Sequence, residues 1–325
     1  MIALNKNNIA FKALQPMFAV VANILLAYIV YFVARVAYLL ENYSLFKEGL
    51  SFEHLIRMFQ GGLMFDTTAI VYSNALYILL MLFPLWFKET NTYHRFCRWL
   101  FVVVNAIGLF LNLCDAVYFP FTLRRTTTSV FREFDNENNL GSIFVTELVN
   151  HWYFVLVFVV VVWGMYKLYR MPKSNISDFN TPKTRWQFVG INFLSLAFVT
   201  VFCVGGARGG LQSGVRPITI SNANEYVKRP IECALVLNTP FALMRTIGKS
   251  IFKVPNTFAS LNNAAKYFTP IHTPNANVKA NKKNVVILIV ESFGREYIGA
   301  YNKQLEGGHY KGYTPNVDKL IKEST

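Results

Sequence analysis

Charge is scarce in this 325-residue chain: Asp, Glu, Lys and Arg make up 15% of it, against 53% hydrophobic residues. That balance is unusual for a soluble domain of this length. Acid is scarcer still, with 18 Asp and Glu against 32 Lys and Arg and a net charge of +14. A basic excess of this size suits nucleic acid, but no nucleic-acid motif accompanies it. Much of it flanks apolar runs, which points to an anionic lipid surface instead. Cysteine is too sparse for a framework: Cys97, Cys114, Cys203 and Cys233 are scattered and form neither a disulfide pattern nor a metal motif. Gly307-Gly308 has no phosphate-loop spacing around it.

What is present in quantity is long apolar sequence. Five runs, at 16–40, 61–87, 99–118, 152–169 and 186–206, approach or exceed the ~20 residues that cross a bilayer core. Tyr38, Trp86, Trp99, Trp152 and Trp186 stand at their ends, as interface anchors do. The first run is too long for a signal peptide and carries Arg35, so it reads as a retained span. Lys and Arg favour the segments that are cytoplasmic if the N-terminus is inside, by roughly two to one. The expectation is five transmembrane helices over 1–206 in a cytoplasmic membrane, with everything beyond them extracytoplasmic.

Charges inside spans are costly and default to function. Arg35, Asp66 and Asp115 fall at one depth, near the outer ends of the first three spans, and Arg124 and Arg125 follow the third. Pairing of Arg35 with Asp66 or Asp115 would register three helices. Alternatively the cluster, with Arg124 and Arg125, orients a lipid phosphate.

Residues 207–254 read as a juxtamembrane helical region, with a helix over 222–237 interrupted at Pro230 and another from Pro240 to Ile251. The second could lie on the membrane surface or pack as a plain helix. Residues 255–283 are rich in Asn, Thr and Pro and fit a linker.

The run Asn284-Val-Val-Ile-Leu-Ile-Val-Glu291-Ser292 is of another kind. Six consecutive apolar residues, many β-branched, read as a strand buried on both faces of a parallel sheet. Ligands bind beyond the carboxyl ends of such strands, where Glu291 stands, and a carboxylate there suits a hard divalent cation. Thr314 and Pro315 then open a helix as N-cap and first residue, with Asp318 in its first turn and an apolar face of Val317, Leu320 and Ile321. Residues 284–325 are therefore expected to begin an α/β domain, incomplete at 325. Ser292 has no histidine in reach by sequence, and His309, His272 and Glu296 read as solvent-facing, linker and ordinary helix residues.

The strand with Val290-Glu291-Ser292-Phe293, followed by Tyr313-Thr-Pro-Asn316 and Leu320-Ile-Lys-Glu-Ser324, resembles the opening of the sulfatase-type domain in lipoteichoic-acid-synthase-like enzymes, of the alkaline phosphatase superfamily. The resemblance extends upstream to Gly62, Phe65-Asp66, Asn112, Asp115, Tyr118-Phe119, Arg208-Gly-Gly210, Arg216-Pro-Ile218 and Leu237-Asn-Thr-Pro-Phe241. It implies that Glu291 ligates one divalent metal, manganese first, with magnesium or zinc as alternatives. It also implies a metal-activated threonine nucleophile beyond Thr325, which takes phosphoglycerol from phosphatidylglycerol and passes it to a cell-envelope acceptor. Phosphoethanolamine transfer by a related family is the neighbouring reading, although Val290-Glu291-Ser292 departs from the Gly-Glu-Thr run usual there. A non-catalytic membrane protein is the reading from a different class.

Overall fold

The computed structural model describes residues 8–134, 139–209, 217–248, 261–268, 284, 286–287, 290 and 293–323. Two compact units divide the chain, Met1–Ile251 and Phe252–Thr325.

The first unit is a helical bundle. A short α1 (Ile9–Ala13) leads into α2 (Gln15–Glu41), which has Pro16 in its first turn where a missing N–H costs nothing. After α3 (Tyr43–Phe46), Ser51 caps α4 (Phe52–Ser73), accepting from His54 N at 3.2 Å. α5 (Ala75–Leu82) continues α4 after a bend of 59°. Asn74 sits in that break, its carboxamide donating to Ile70 O at 3.0 Å and exchanging hydrogen bonds with Asn105 at 2.8 and 3.2 Å. Thr90 caps the long α6 (Asn91–Thr122), and Leu123 closes it in the left-handed region at φ 53°. There follow α7 (Val130–Phe134), α8 (Leu140–Asn150) and α9 (Trp152–Leu168), the last two meeting at 80°. α10 (Pro182–Arg208) starts at the Thr181 cap and ends at Gly209, whose φ of 85° suits glycine.

α2, α6 and α10 are each long and apolar enough to cross a membrane, and the bent pairs α4–α5 and α8–α9 raise the number to five if each is one span. Of the five expected runs, 16–40, 99–118, 152–169 and 186–206 each fall on one helix, and 61–87 falls on the bent pair α4–α5 and the 3₁₀ turn after it. α2 lies at the centre, against α4, α5, α6 and α9. Ala19, Ala27 and Ala34 on α2 and Ala69 and Ala116 on its neighbours are buried, and such small residues let helices approach in lipid. Phe46 and Phe119 stack at 5.5 Å beside Tyr38. The outward faces are apolar, as with Leu25, Ile29 and Phe32 on α2 and Phe198, Val201 and Phe202 on α10; this is the pattern of helices solvated by lipid.

The juxtamembrane region departs from expectation. In place of a helix over 222–237 there are short 3₁₀ turns at Ile220–Tyr226 and Pro230–Glu232, then α11 (Cys233–Val236). α12 (Thr239–Thr246) is shorter than the expected helix; residues 249–251 lie outside the described residues. It does not lie on a surface: Phe241 and Ala242 are fully buried against α4 and α6.

In the second unit, α13 (Leu261–Ala265) falls within the expected linker. α14 (Pro315–Glu323) begins at Pro315 as expected, and Asp318 accepts from Ala300 N at 2.9 Å. The α/β strand expected over 285–290 is not seen. Among the described residues no strand is present, and Val286, Ile287 and Val290 are 80%, 77% and 62% exposed. A strand exists only through ladder hydrogen bonds to a neighbour, and none runs beside these three. Val285, Leu288, Ile289, Glu291 and Ser292 lie outside the described residues.

Candidate functional site

The charged residues of the first three spans meet at one end of the bundle. Arg35 on α2 donates to Asp66 Oδ1 on α4 at 2.5 Å and to Gly62 O at 3.2 Å. Its other terminal nitrogen reaches the carbonyls of Leu235, of Val236 at 2.6 Å and of Leu237 at 3.4 Å. A guanidinium suits this position because its fork of donors serves a carboxylate and a helix C-terminus together. Gly62 is required by that approach, since a Cβ there would come 2.5 Å from Arg35 Cζ.

A second pair stands beside the first. Arg125, in the loop after α6, donates to Asp115 Oδ2 at 3.0 Å, to Thr239 Oγ1 at 3.0 Å and to Ala234 O at 2.6 Å. Its guanidinium also lies 3.7 Å from the Tyr38 ring centroid. Asp115 further accepts from Thr239 Oγ1 at 2.9 Å, from Thr126 N at 3.0 Å and from the Thr126 hydroxyl.

Both pairs grip one turn. Asn238 donates to Asp66 at 2.8 Å and caps α12 by accepting from Phe241 N at 2.8 Å. Thr239 N donates to Asn112 Oδ1 at 3.1 Å, and Phe241 meets Phe65 edge-on at 5.0 Å. The carboxylates and both guanidinium groups each have several partners and are nearly inaccessible. Such a set holds a segment in place. Pairing of Arg35 with Asp66, one of the two sequence readings, is what the geometry contains, and Asp115 takes Arg125 instead.

Sequence reasoning missed an adjoining cluster. His54 Nε2 on α4 lies 2.8 Å from Glu232 Oε2, which also accepts from Lys228 N at 3.0 Å and Arg229 N at 3.1 Å, while Arg229 Nε donates to Glu232 Oε1 at 2.9 Å. Burial pushes the Glu232 carboxyl up, but His54, the Arg229 side chain and the two amides draw it down to about 2, against an ordinary 4.5. The only sequence signal was an acid two residues after Pro230.

Arg124 is exposed and lines a small cleft with Tyr118, Thr127 and Ser129, to which Arg125 and Thr126 of the buried network also contribute. His309 and Glu296 are exposed. Glu291, Ser292, His272 and Thr325 lie outside the described residues. Among the described residues no group of three or more His, Cys, Asp and Glu is arranged to hold a metal. No family model, curated protein or solved structure matches the chain.

Proposed function

We propose that the chain is the membrane part and first catalytic segment of a metal-dependent phosphotransferase that acts outside the cytoplasmic membrane. In this reading it moves phosphoglycerol from phosphatidylglycerol to a cell-envelope acceptor, with Glu291 as a ligand of the divalent metal. The supporting observation is a coincidence between two independent sets of residues. Gly62, Phe65, Asp66, Asn112, Asp115 and Leu237-Asn-Thr-Pro-Phe241 entered the resemblance by sequence alone. Most of these also touch one another: Phe65 with Phe241, Asp66 with Asn238, and Asn112 and Asp115 with Thr239, while Gly62 O meets Arg35, which stands outside the resemblance. In this reading the clamp fixes the turn over residues 234–241 against the bundle.

The test uses membranes containing the protein as its gene encodes it, supplied with phosphatidylglycerol or phosphatidylethanolamine labelled in the headgroup, with and without manganese. Label from phosphatidylglycerol should become bound to protein or acceptor, and Glu291→Gln should abolish the transfer and lower the metal content. Label from phosphatidylethanolamine instead would shift the reading to phosphoethanolamine transfer. Label from neither would end the transferase reading.

A further inference from the structure

α8 stands at the margin of the bundle: residues 141–150 are exposed apart from Glu147. Its residues nonetheless divide between two sides. Phe144 and Leu148, and Val145 and Val149, repeat at four-residue spacing on one side and are 50%, 43%, 61% and 64% exposed. Ser142, Thr146 and Asn150 repeat at the same spacing on the other, where Ile143 is the apolar exception.

We infer that α8 lies flat in the membrane interface, with its Phe144–Leu148 side in the acyl chains and its Ser142–Thr146 side toward water, and that α9 alone makes the fourth crossing. The bend of 80° between α8 and α9 turns α8 close to the membrane plane if α9 stands across it. α9 has 17 residues, about 25 Å at the helical rise. Its ends carry Trp152 and Tyr153 on one side and Lys167, with Arg170 just beyond, on the other, so anchors stand near both edges of a hydrocarbon core of about 30 Å.

The occupant of the apolar side follows from what lies beside it. Phe144 meets Phe110 of α6 at 6.5 Å, and Phe110 meets Phe158 of α9 at 6.2 Å. The apolar side of α8 is thus level with the first turns of a helix whose Val155, Leu156 and Val159 face outward. One apolar belt runs through both, and lipid covers it. The corner is fixed by polar contacts: Tyr153 donates to Glu41 at 2.8 Å, and His151 lies 3.4 Å from Glu41 and 3.3 Å from the Glu147 carboxylate. α8 carries no Lys or Arg, so its attachment is apolar, indifferent to anionic lipid and to salt. The inference rests on the membrane reading of the helices and is independent of any transfer activity.

Spin labels placed singly at 142–149, in protein whose four native cysteines are replaced by alanine, test it in phosphatidylcholine vesicles. Accessibility to oxygen against a water-soluble nickel complex should oscillate with the helical period. Labels at Phe144, Val145, Leu148 and Val149 should share one shallow depth, unchanged when anionic lipid or salt is added. Nickel access at all positions, a depth that grows steadily along the helix, or broadening between labels of two copies at Val145 would each overturn the inference. A label at Val159 is the control: nickel access there would overturn the membrane reading itself, a separate failure. On the unmodified chain, the 141–150 peptide should exchange its amides slowly in lipid nanodiscs; exchange at the rate of an unstructured peptide would contradict the proposal.

Discussion

The two ends of the bundle handle buried charge differently. At one end Arg35, Asp66, Asp115 and Arg125 are each bound several times over, and backbone carbonyls of residues 234–237 take the donors that the carboxylates leave. At the other end Glu89 is fully buried and accepts from Ser174 at 2.5 Å, but its Oε1 has no hydrogen bond; nor does either ring nitrogen of His94, which lies 3.2 Å from the same carboxylate. Lys88 there is satisfied by the carbonyls of Leu80 and Met81 rather than by the acid 3.7 Å away. The contrast teaches that a buried ion pair acts as a clamp only when backbone groups complete its coordination. Otherwise it leaves orphaned atoms whose desolvation offsets the attraction.

Removing one member of the multiply bonded end should have the largest effect. Arg35→Met leaves Asp66 buried beside Asn238 alone and strips the carbonyls of Leu235 and Val236. A loss of about 3–5 kcal/mol is expected, read by thermal unfolding in detergent, with new proteolytic cleavage near residues 234–239. Arg35→Lys should recover less than half, because an ammonium lacks the planar fork. Full stability in either variant would remove the clamp from the account. Next, Asp66→Asn and Asp115→Asn should be non-additive, with coupling of about 0.5–3 kcal/mol, because they hold the adjacent residues Asn238 and Thr239. Additive losses would mean two unrelated pairs.

The opposite end should respond less. Glu89→Gln keeps an acceptor for Ser174 and leaves Lys88 its carbonyls, so about 1 kcal/mol is expected. A loss as large as that of Arg35→Met would erase the contrast. A further effect is one of acid. The Glu232 carboxyl is depressed in the fold to about 2 from an ordinary 4.5, so its contribution is complete above 4.5 and disappears as pH falls from there through about 2. Glu232→Gln should flatten that part of the pH–stability curve, and an unchanged curve would show that other carboxylates govern it.

The crossings were legible because a run of apolar residues long enough for a bilayer leaves a helix few alternatives. Their breaks were not. Asn74 bends a span through its partnership with Asn105, 31 residues away, and nothing local marks it. Arg35, Asp66 and Asp115 could be placed at one depth from span boundaries alone, yet which acid takes which arginine depends on helix rotation. For that reason Arg124 and Arg125 looked equivalent, although Arg125 is buried and Arg124 exposed. The role of Leu237-Asn-Thr-Pro was hidden as well: its polar groups matter through what they meet on α4 and α6. The apolar run before Glu291 was read as strand from composition, and its described residues Val286, Ile287 and Val290 carry no ladder. Strand formation depends on a neighbour that periodicity does not reveal.

The account turns on which end of the bundle faces outward, since a phosphotransferase acting on the cell envelope requires the clamp and everything after it on the extracytoplasmic side. Single cysteines at Lys173 and Asn275, in a cysteine-free background, decide it with a membrane-impermeant thiol reagent on intact cells. The account predicts labelling at 275 and none at 173 until the membrane is opened; labelling at 173 with protection at 275 would contradict both the orientation and the proposed function.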